Sequence, residues 1–212
     1  AMNGTSVPET IIDLCKKISR SKKIIALKAG KTEEGLKAAI THTASVSSAG
    51  EIYSAAFKQA GVIEVESVRG MLLLAEVFSI YKNIGKNACM VSNGGGVGVL
   101  ASDSLSKSRV ELPEIPENVL KEFDKILPGG YSRRNPLDML GDASAEVYQK
   151  VLKMLEREIW FDFFLVLLTP QAMTQALETS RVLLEIKKPL FACFLGGKSL
   201  EGARKFMREN KI

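Results

Sequence analysis

The sequence predicts an α/β protein built from two doubly wound, flavodoxin-like domains with parallel sheets. Three observations predict it. Short, unbroken apolar runs such as IIAL and FFLVLL alternate with helical patterns, as in a parallel sheet covered on both faces. Two blocks echo each other: ISRSKKIIALKAGK (Ile18 to Lys31) and LLEIKKPLFACFLGGK (Leu183 to Lys198). Each reads as a helix end, a Lys-Lys pair, an apolar strand, then Gly and Lys. Finally, 46% hydrophobic and 25% charged residues in 212 positions is the balance of a globular chain with a real core, not of a disordered or fibrous one.

The elements follow in order. A helix is expected over Glu9 to Arg20, and the first Lys-Lys strand follows it. Gly50 to Ala60 reads as a helix, Val62 to Val65 as a strand and Val68 to Tyr81 as a helix. The second half opens on a strand, Asn87 to Ser92, a glycine turn and a helix from about Gly96 to Lys107. Pro116 to Ile126 is helical, with Pro116 near its start. Ser144 to Arg157 is helical and sets Val147, Val151, Leu152 and Leu155 on one stripe. Asp162 to Leu168 is a strand, Thr174 to Ile186 a helix, Leu190 to Leu195 a strand and Leu200 to Arg208 a helix.

The echo also sets the domain expectation. In the second half the Lys-Lys strand follows earlier βα units; in the first half it comes after a single helix. Residues 1–85 therefore read as the C-terminal part of a truncated first domain, and 86–212 as a second domain. The chain is expected to be a fragment.

Charge and cysteines narrow the function classes. Lys plus Arg total 29 against 24 acids, a net +5. The excess sits before Thr32, where Lys16, Lys17, Arg20, Lys22, Lys23, Lys28 and Lys31 face only Glu9 and Asp13. No aromatic residues interleave with them, so a solvated helix face or a partner contact is expected rather than nucleic acid. The longest apolar run, Phe163 to Leu168, is far short of the ~20 residues that span a bilayer. No membrane partner and a cytoplasmic location are expected. Cys15, Cys89 and Cys193 are far apart and sit among apolar residues, so they read as reduced core cysteines. No Cys/His cluster has metal-ligand spacing, and no metal site is expected.

Three segments could carry chemistry. His42, the only histidine, stands on a run of small residues before a helix. Imidazole nitrogen is a good nucleophile near neutral pH, and an ordinary loop histidine is the alternative. Asn93, Gly94, Gly95 and Gly96 in SNGGGVGVLASD join a strand end to a helix start, where free N–H groups and the helix dipole can hold an anion. A bare tight turn is the alternative. The run is not a dinucleotide fingerprint, because Val99 stands where the third glycine belongs. RRNPLDMLGDA reads as a long polar turn between helices in which Asn135 and Asp138 could contact a ligand. GKT at Gly30 to Thr32 fails as a phosphate loop, and Lys31 reads as a surface residue.

Together these blocks resemble a family. GKTEEGLKAAITHTASVSSAGEIYSAAFKQAGVI looks like the phosphohistidine segment of the ADP-forming acyl-CoA synthetases, relatives of succinyl-CoA synthetase. VSNGGGVGVLASD, NPLDMLGDA and LLTPQAMT look like that family's second flavodoxin-like domain. The resemblance runs through nearly the whole chain, in order. It implies a ligase that interconverts acyl-CoA, ADP and phosphate with acid, ATP and CoA. By position, His42 is the phosphorylated histidine, and Asn93 to Gly96 is one of the helix N-termini that hold its phosphate. Asn135 and Asp138 lie near the same site. It implies CoA, ATP/ADP and Mg²⁺ as substrates bound largely by other domains, with no tightly held cofactor. The implied partners are an ATP-grasp subunit or domain and a CoA-binding domain, in an oligomer; this chain alone is expected to be inactive. Ala44 and Ser47 stand where the family usually has glycine. That departure keeps open a regulatory, CoA-sensing relative, and succinyl-CoA synthetase proper is the other alternative. A dimerisation fragment is a third.

Overall fold

The computed structural model describes residues 9–35, 37 and 50–212. His42, Ala44 and Ser47 lie outside the described residues. The chain divides into two compact units, 1–82 and 83–212.

In the first unit, helix α1 (Glu9–Ser19) leads to strand β1 (Ile25–Leu27). Helix α2 (Gly50–Gln59), strand β2 (Ile63–Val65) and helix α3 (Val68–Ile80) follow. β1 and β2 are parallel, with Ile25 opposite Ile63 and Leu27 opposite Val65. Ser67 starts α3 as an N-cap: its hydroxyl accepts from Gly70 N–H at 3.0 Å, satisfying one of the orphan donors of a first turn. α1 packs on α2, and α3 on both strands. Part of the basic segment is used internally rather than solvated. Lys23 lies over the Phe78 ring at 5.9 Å and Lys28 over Tyr53 at 4.9 Å, within cation–π range.

The second unit holds a four-stranded parallel sheet in the order β4-β3-β5-β6. Its strands are β3 (Ala88–Ser92), β4 (Leu137–Asp138), β5 (Phe163–Leu168) and β6 (Leu190–Phe194). Its helices are α4 (Gly95–Ser106), α5 (Glu117–Phe123), α6 (Ala145–Leu155), α7 (Ala176–Leu183) and α8 (Glu201–Glu209). This strand order is the flavodoxin-like one, with the first strand internal and the chain reversing direction across the sheet between β3 and β5.

Strand alternation sorts the sheet residues into two faces. One face, with Cys89, Val91, Phe164, Val166 and Phe194, joins the main core with residues of α5 through α8. The periodic stripe of α6 explains its place there: Val151, Leu152 and Leu155 are wholly buried, each worth roughly 1.5–3 kcal/mol of removed apolar surface. Tyr148, on the same stripe, donates its hydroxyl to the Leu167 carbonyl at 2.9 Å. The opposite face is covered by α4 at β3. At edge strand β6 it is open: Phe191 is half-buried and Cys193 is exposed.

Two expectations change here. Cys193 is not a core cysteine, because it points to the open face of an edge strand; Cys15 is only half-buried, and Cys89 alone is buried. RRNPLDMLGDA is not only a polar turn. It contributes β4, and Leu137 and Met139 are completely buried on either side of Asp138. Lys31 is exposed, as expected, and its ammonium pairs with Glu64 at 2.9 Å.

Candidate functional site

The candidate site of the second unit lies at the C-terminal end of β3, beside the point where chain direction reverses. In doubly wound sheets ligands bind at such a crevice. The crevice is shaped by side-chain amides. Asn93 is wholly buried. Its Oδ1 accepts from Thr169 N–H at 2.8 Å and from the Thr169 hydroxyl at 3.2 Å; its Nδ2 donates to the Thr169 carbonyl at 2.9 Å. The amide therefore behaves as an extra peptide group that laces β3 to β5 beyond the last ladder pair.

Asn135 does the same at the other edge of β3. Its Oδ1 accepts from Met90 N–H at 2.9 Å, and its Nδ2 donates to the carbonyls of Ala88 at 2.7 Å and Pro113 at 3.1 Å. The Asn135-Pro136 peptide bond is cis. The loop then closes on Ser132, whose hydroxyl donates to the Pro136 carbonyl at 2.6 Å and accepts from Asp138 N–H at 2.8 Å. Both asparagine side chains are thus occupied within the fold. Of the two residues expected in this loop, Asp138 is the one that lines open space.

That space is a cleft of about 290 Å³, lined among others by Ser92, Gly95, Ser132, Arg134 and Asp138, with Asp103 further along α4. Gly94 and Gly95 are required by close approach rather than by an unusual backbone. A methyl group at Gly94 would come within 3.1 Å of Thr169 Oγ1, and one at Gly95 within 2.9 Å of Asp138 Oδ2. Gly96 meets nothing within 4 Å. No side chain caps α4, so the N–H groups of Gly95, Gly96 and Val97 have no intrahelical acceptor, while the Gly94 N–H before them donates to the Ser92 hydroxyl at 3.0 Å. The helix dipole places partial positive charge there.

The two arginines of the loop part company. Arg133 pairs with Asp124 and, at 3.2 Å, with Glu117 on α5. Arg134 turns into the cleft, and its guanidinium makes no ion pair among the described residues. Uncapped N–H groups and an unpaired guanidinium suit an oxyanion. Asp138 and Asp103 oppose it, so the two donors must outweigh a pair of carboxylates. No group of three or more metal-ligating side chains occurs among the described residues.

Sequence reasoning placed Asn93 to Gly96, Asn135 and Asp138 in one neighbourhood, and the structure brings them together. It missed Thr169, Ser132 and Arg134. A short TP or SRR run carries no periodic signal; only the fold shows what they face. His42 lies outside the described residues.

A parallel, doubly wound unit with an anion-suited crevice at its switch point is the architecture of a CoA-ligase domain. Residues 88–212 match the Ligase-CoA domain, and residues 1–78 match the succinyl-CoA ligase like flavodoxin domain. The chain belongs to this ligase family. It is 33% identical to ADP-forming acetate–CoA ligase I of Archaeoglobus fulgidus, over 100% of this chain and 30% of that protein. It is 33% identical to the alpha subunit of ADP-forming acetate–CoA ligase II of Pyrococcus furiosus, over 100% of this chain and 48% of that subunit. Among solved structures it resembles acetyl-coenzyme A synthetase 1 of Ca. Korarchaeum cryptofilum in complex with phosphate and ADP. That match has a TM-score of 0.89 and 28% identity, covering 100% of this chain and 47% of the other. The chain thus spans between about a third and a half of the length of these relatives.

Proposed function

We propose that this chain is the phosphocarrier portion of an ADP-forming acyl-CoA synthetase. The observation that carries the reading is the end-to-end match to ADP-forming acetate–CoA ligases, in a chain whose single histidine stands on the phosphohistidine-like segment. In the proposed reaction inorganic phosphate displaces CoA from acyl-CoA, giving acyl phosphate and free thiol. A ring nitrogen of neutral His42 then attacks the phosphorus; the N–P bond forms as the P–O bond to the acyl group breaks, and the carboxylic acid leaves. A terminal phosphate oxygen of ADP finally takes the phosphoryl group from His42, giving ATP.

In the second unit, the α4 N-terminus and Arg134 bind a phosphate group. Asn93 and Asn135 act there by holding the crevice in shape. Nucleotide, Mg²⁺ and CoA are substrates handled by an ATP-grasp partner and a CoA-binding domain, in a cytoplasmic oligomer. No helix among the described residues is long and apolar enough to cross a membrane. The residues Ala44 and Ser47 favour a second reading, a regulatory relative that binds acyl-CoA without turnover.

The test uses the full-length protein with its nucleotide-binding partner. ATP formed from acetyl-CoA, ADP and phosphate is measured for wild type and His42→Asn. Turnover lost in the variant supports the carrier. Equal turnover in both proteins removes His42 from the mechanism, and CoA binding with no turnover in wild type establishes the regulatory reading.

A further inference from the structure

The loop from Tyr131 to Asp138 forms one wall of the cleft in the second unit, and its side chains are tied down in turn. The buried Tyr131 donates its hydroxyl to the Asp124 carboxylate at 2.7 Å. Arg133 donates to the same carboxylate and, at 3.2 Å, to Glu117. Glu117 opens α5, and Asp124 closes it as the C-cap. Ser132 joins the two ends of the loop. Its hydroxyl donates to the Pro136 carbonyl at 2.6 Å and accepts from Asp138 N–H at 2.8 Å, while its own N–H donates to the Asp138 carbonyl at 2.9 Å. Asn135 is occupied by β3 and by the Pro113 carbonyl. Arg134 stands between these anchors. Of the side chains at 131–135, only that of Arg134 makes no hydrogen bond or ion pair among the described residues, and it lines the cleft.

The Asp124–Arg133 pair is not placed to stabilise the fold. Its two side chains are 43% and 44% exposed, and pairs this exposed add little to stability. Its location gives it a use. It holds the backbone at position 133 against α5, as Asn135 holds position 135 against β3. The residue between them is left to project into the cleft, beside the uncapped N–H groups of α4. A long cation loses rotamer freedom when it engages an anion, and a backbone fixed on both sides lowers that cost in advance.

We infer that the Asp124–Arg133 pair is a latch that presents Arg134 to a phosphate group bound in the cleft. This inference rests on the reading above that the cleft holds phosphate. Arg134 supplies a planar fork of donors suited to two oxygens of a tetrahedral oxyanion. Arg133 is a positioning residue: it grips α5 and acts on the ligand only through its neighbour. Two adjacent arginines of the same chemistry thus have different tasks, one to anchor the loop and one to bind.

The test is the affinity of the full-length protein for inorganic phosphate by titration calorimetry, with melting temperature measured alongside. Phosphate sites elsewhere in the protein contribute equally to every variant. Arg134→Gln removes the charge-assisted contact and should weaken binding roughly 10- to 100-fold. Arg133→Gln and Asp124→Ala should each weaken it roughly 2- to 10-fold, the cost of ordering one freed side chain. The double variant should be no weaker than the weaker single, because both break one contact. Arg133→Lys keeps a cation for Asp124 and should recover most of the affinity. Melting temperatures should move by no more than about 4 °C. A long-range effect of charge alone predicts the opposite sign for Asp124→Ala: removing a negative charge would tighten phosphate binding, and that result overturns the latch. Wild-type affinity in Arg133→Gln overturns it as well, while the role of Arg134 stands. If Asp124→Ala does not fold, Arg133→Gln and its recovery by Arg133→Lys decide. Wild-type affinity in Arg134→Gln, or no phosphate bound by the wild type, overturns the cleft reading and the latch together.

Discussion

Replacing Asn93 by alanine should destabilise the second unit far more than its single position suggests. The side chain is fully buried and makes all three of its bonds with Thr169. Alanine leaves the Thr169 N–H without that partner, while its C=O keeps the Thr174 hydroxyl at 3.2 Å, and it removes the link between the ends of β3 and β5. Three lost bonds at about 1 kcal/mol net each give an expected loss of about 2–4 kcal/mol. For a chain of this size that lowers Tm by roughly 5–15 °C. Thr169→Val is the control. It removes only the hydroxyl bond at 3.2 Å, and a loss under about 1 kcal/mol is expected. Thermal unfolding followed by circular dichroism reads both. A Tm for Asn93→Ala equal to that of Thr169→Val would refute the lacing argument.

Gly95→Ala would set a methyl within 2.9 Å of Asp138 Oδ2, crowding the cleft at the α4 N-terminus, and should weaken phosphate binding by titration calorimetry. Gly96→Ala, in open space, should be neutral or stabilising by up to about 1 kcal/mol. The Asp124–Arg133–Tyr131 cluster should shape the pH dependence of Tm. Hydrogen bonds from Arg133 and then Tyr131 hold the Asp124 carboxyl below its ordinary value, so its contribution is present above the ordinary aspartate pKa and is lost as pH falls below it. Burial and the bond to Asp124 push the Tyr131 phenol up to about 12; its contribution is present below the ordinary pKa near 10 and is lost as pH rises toward 12. In Asp124→Asn the acid loss should disappear, and spectrophotometric titration should find Tyr131 nearer its ordinary value. Burial pushes the Cys89 thiol far up, so an aromatic disulfide reagent at pH 8 should label Cys193 in the native protein and reach Cys89 only on unfolding.

Much of the fold was legible because its signals are long and periodic. The stripe Val151, Leu152 and Leu155 and the continuous run Phe163 to Leu168 admit few alternatives, and both lie where expected. The short strand Leu137–Asp138 was not legible, because two alternating apolar residues carry no period; its burial comes from pairing with β3. The exposure of Cys193 was equally hidden, since FACF is apolar throughout and only the strand order makes β6 an edge. At the site, glycines 94 to 96 announced a close approach, and the sequence could not say that two of the three accommodate the protein's own Thr169 and Asp138. Asn93 and Asn135 read as ligand-binding polar groups because asparagine offers the same donors to a phosphate as to a strand.

The carrier claim is tested most directly on the phosphoprotein itself. Full-length protein and its nucleotide-binding partner are incubated with Mg-ATP, quenched in alkali and mapped by peptide mass spectrometry, with His42→Asn alongside. The account predicts acid-labile, base-stable phosphate on the His42 peptide, discharged by ADP and absent from the variant. An active, fully assembled enzyme with no phosphate at His42 would contradict it.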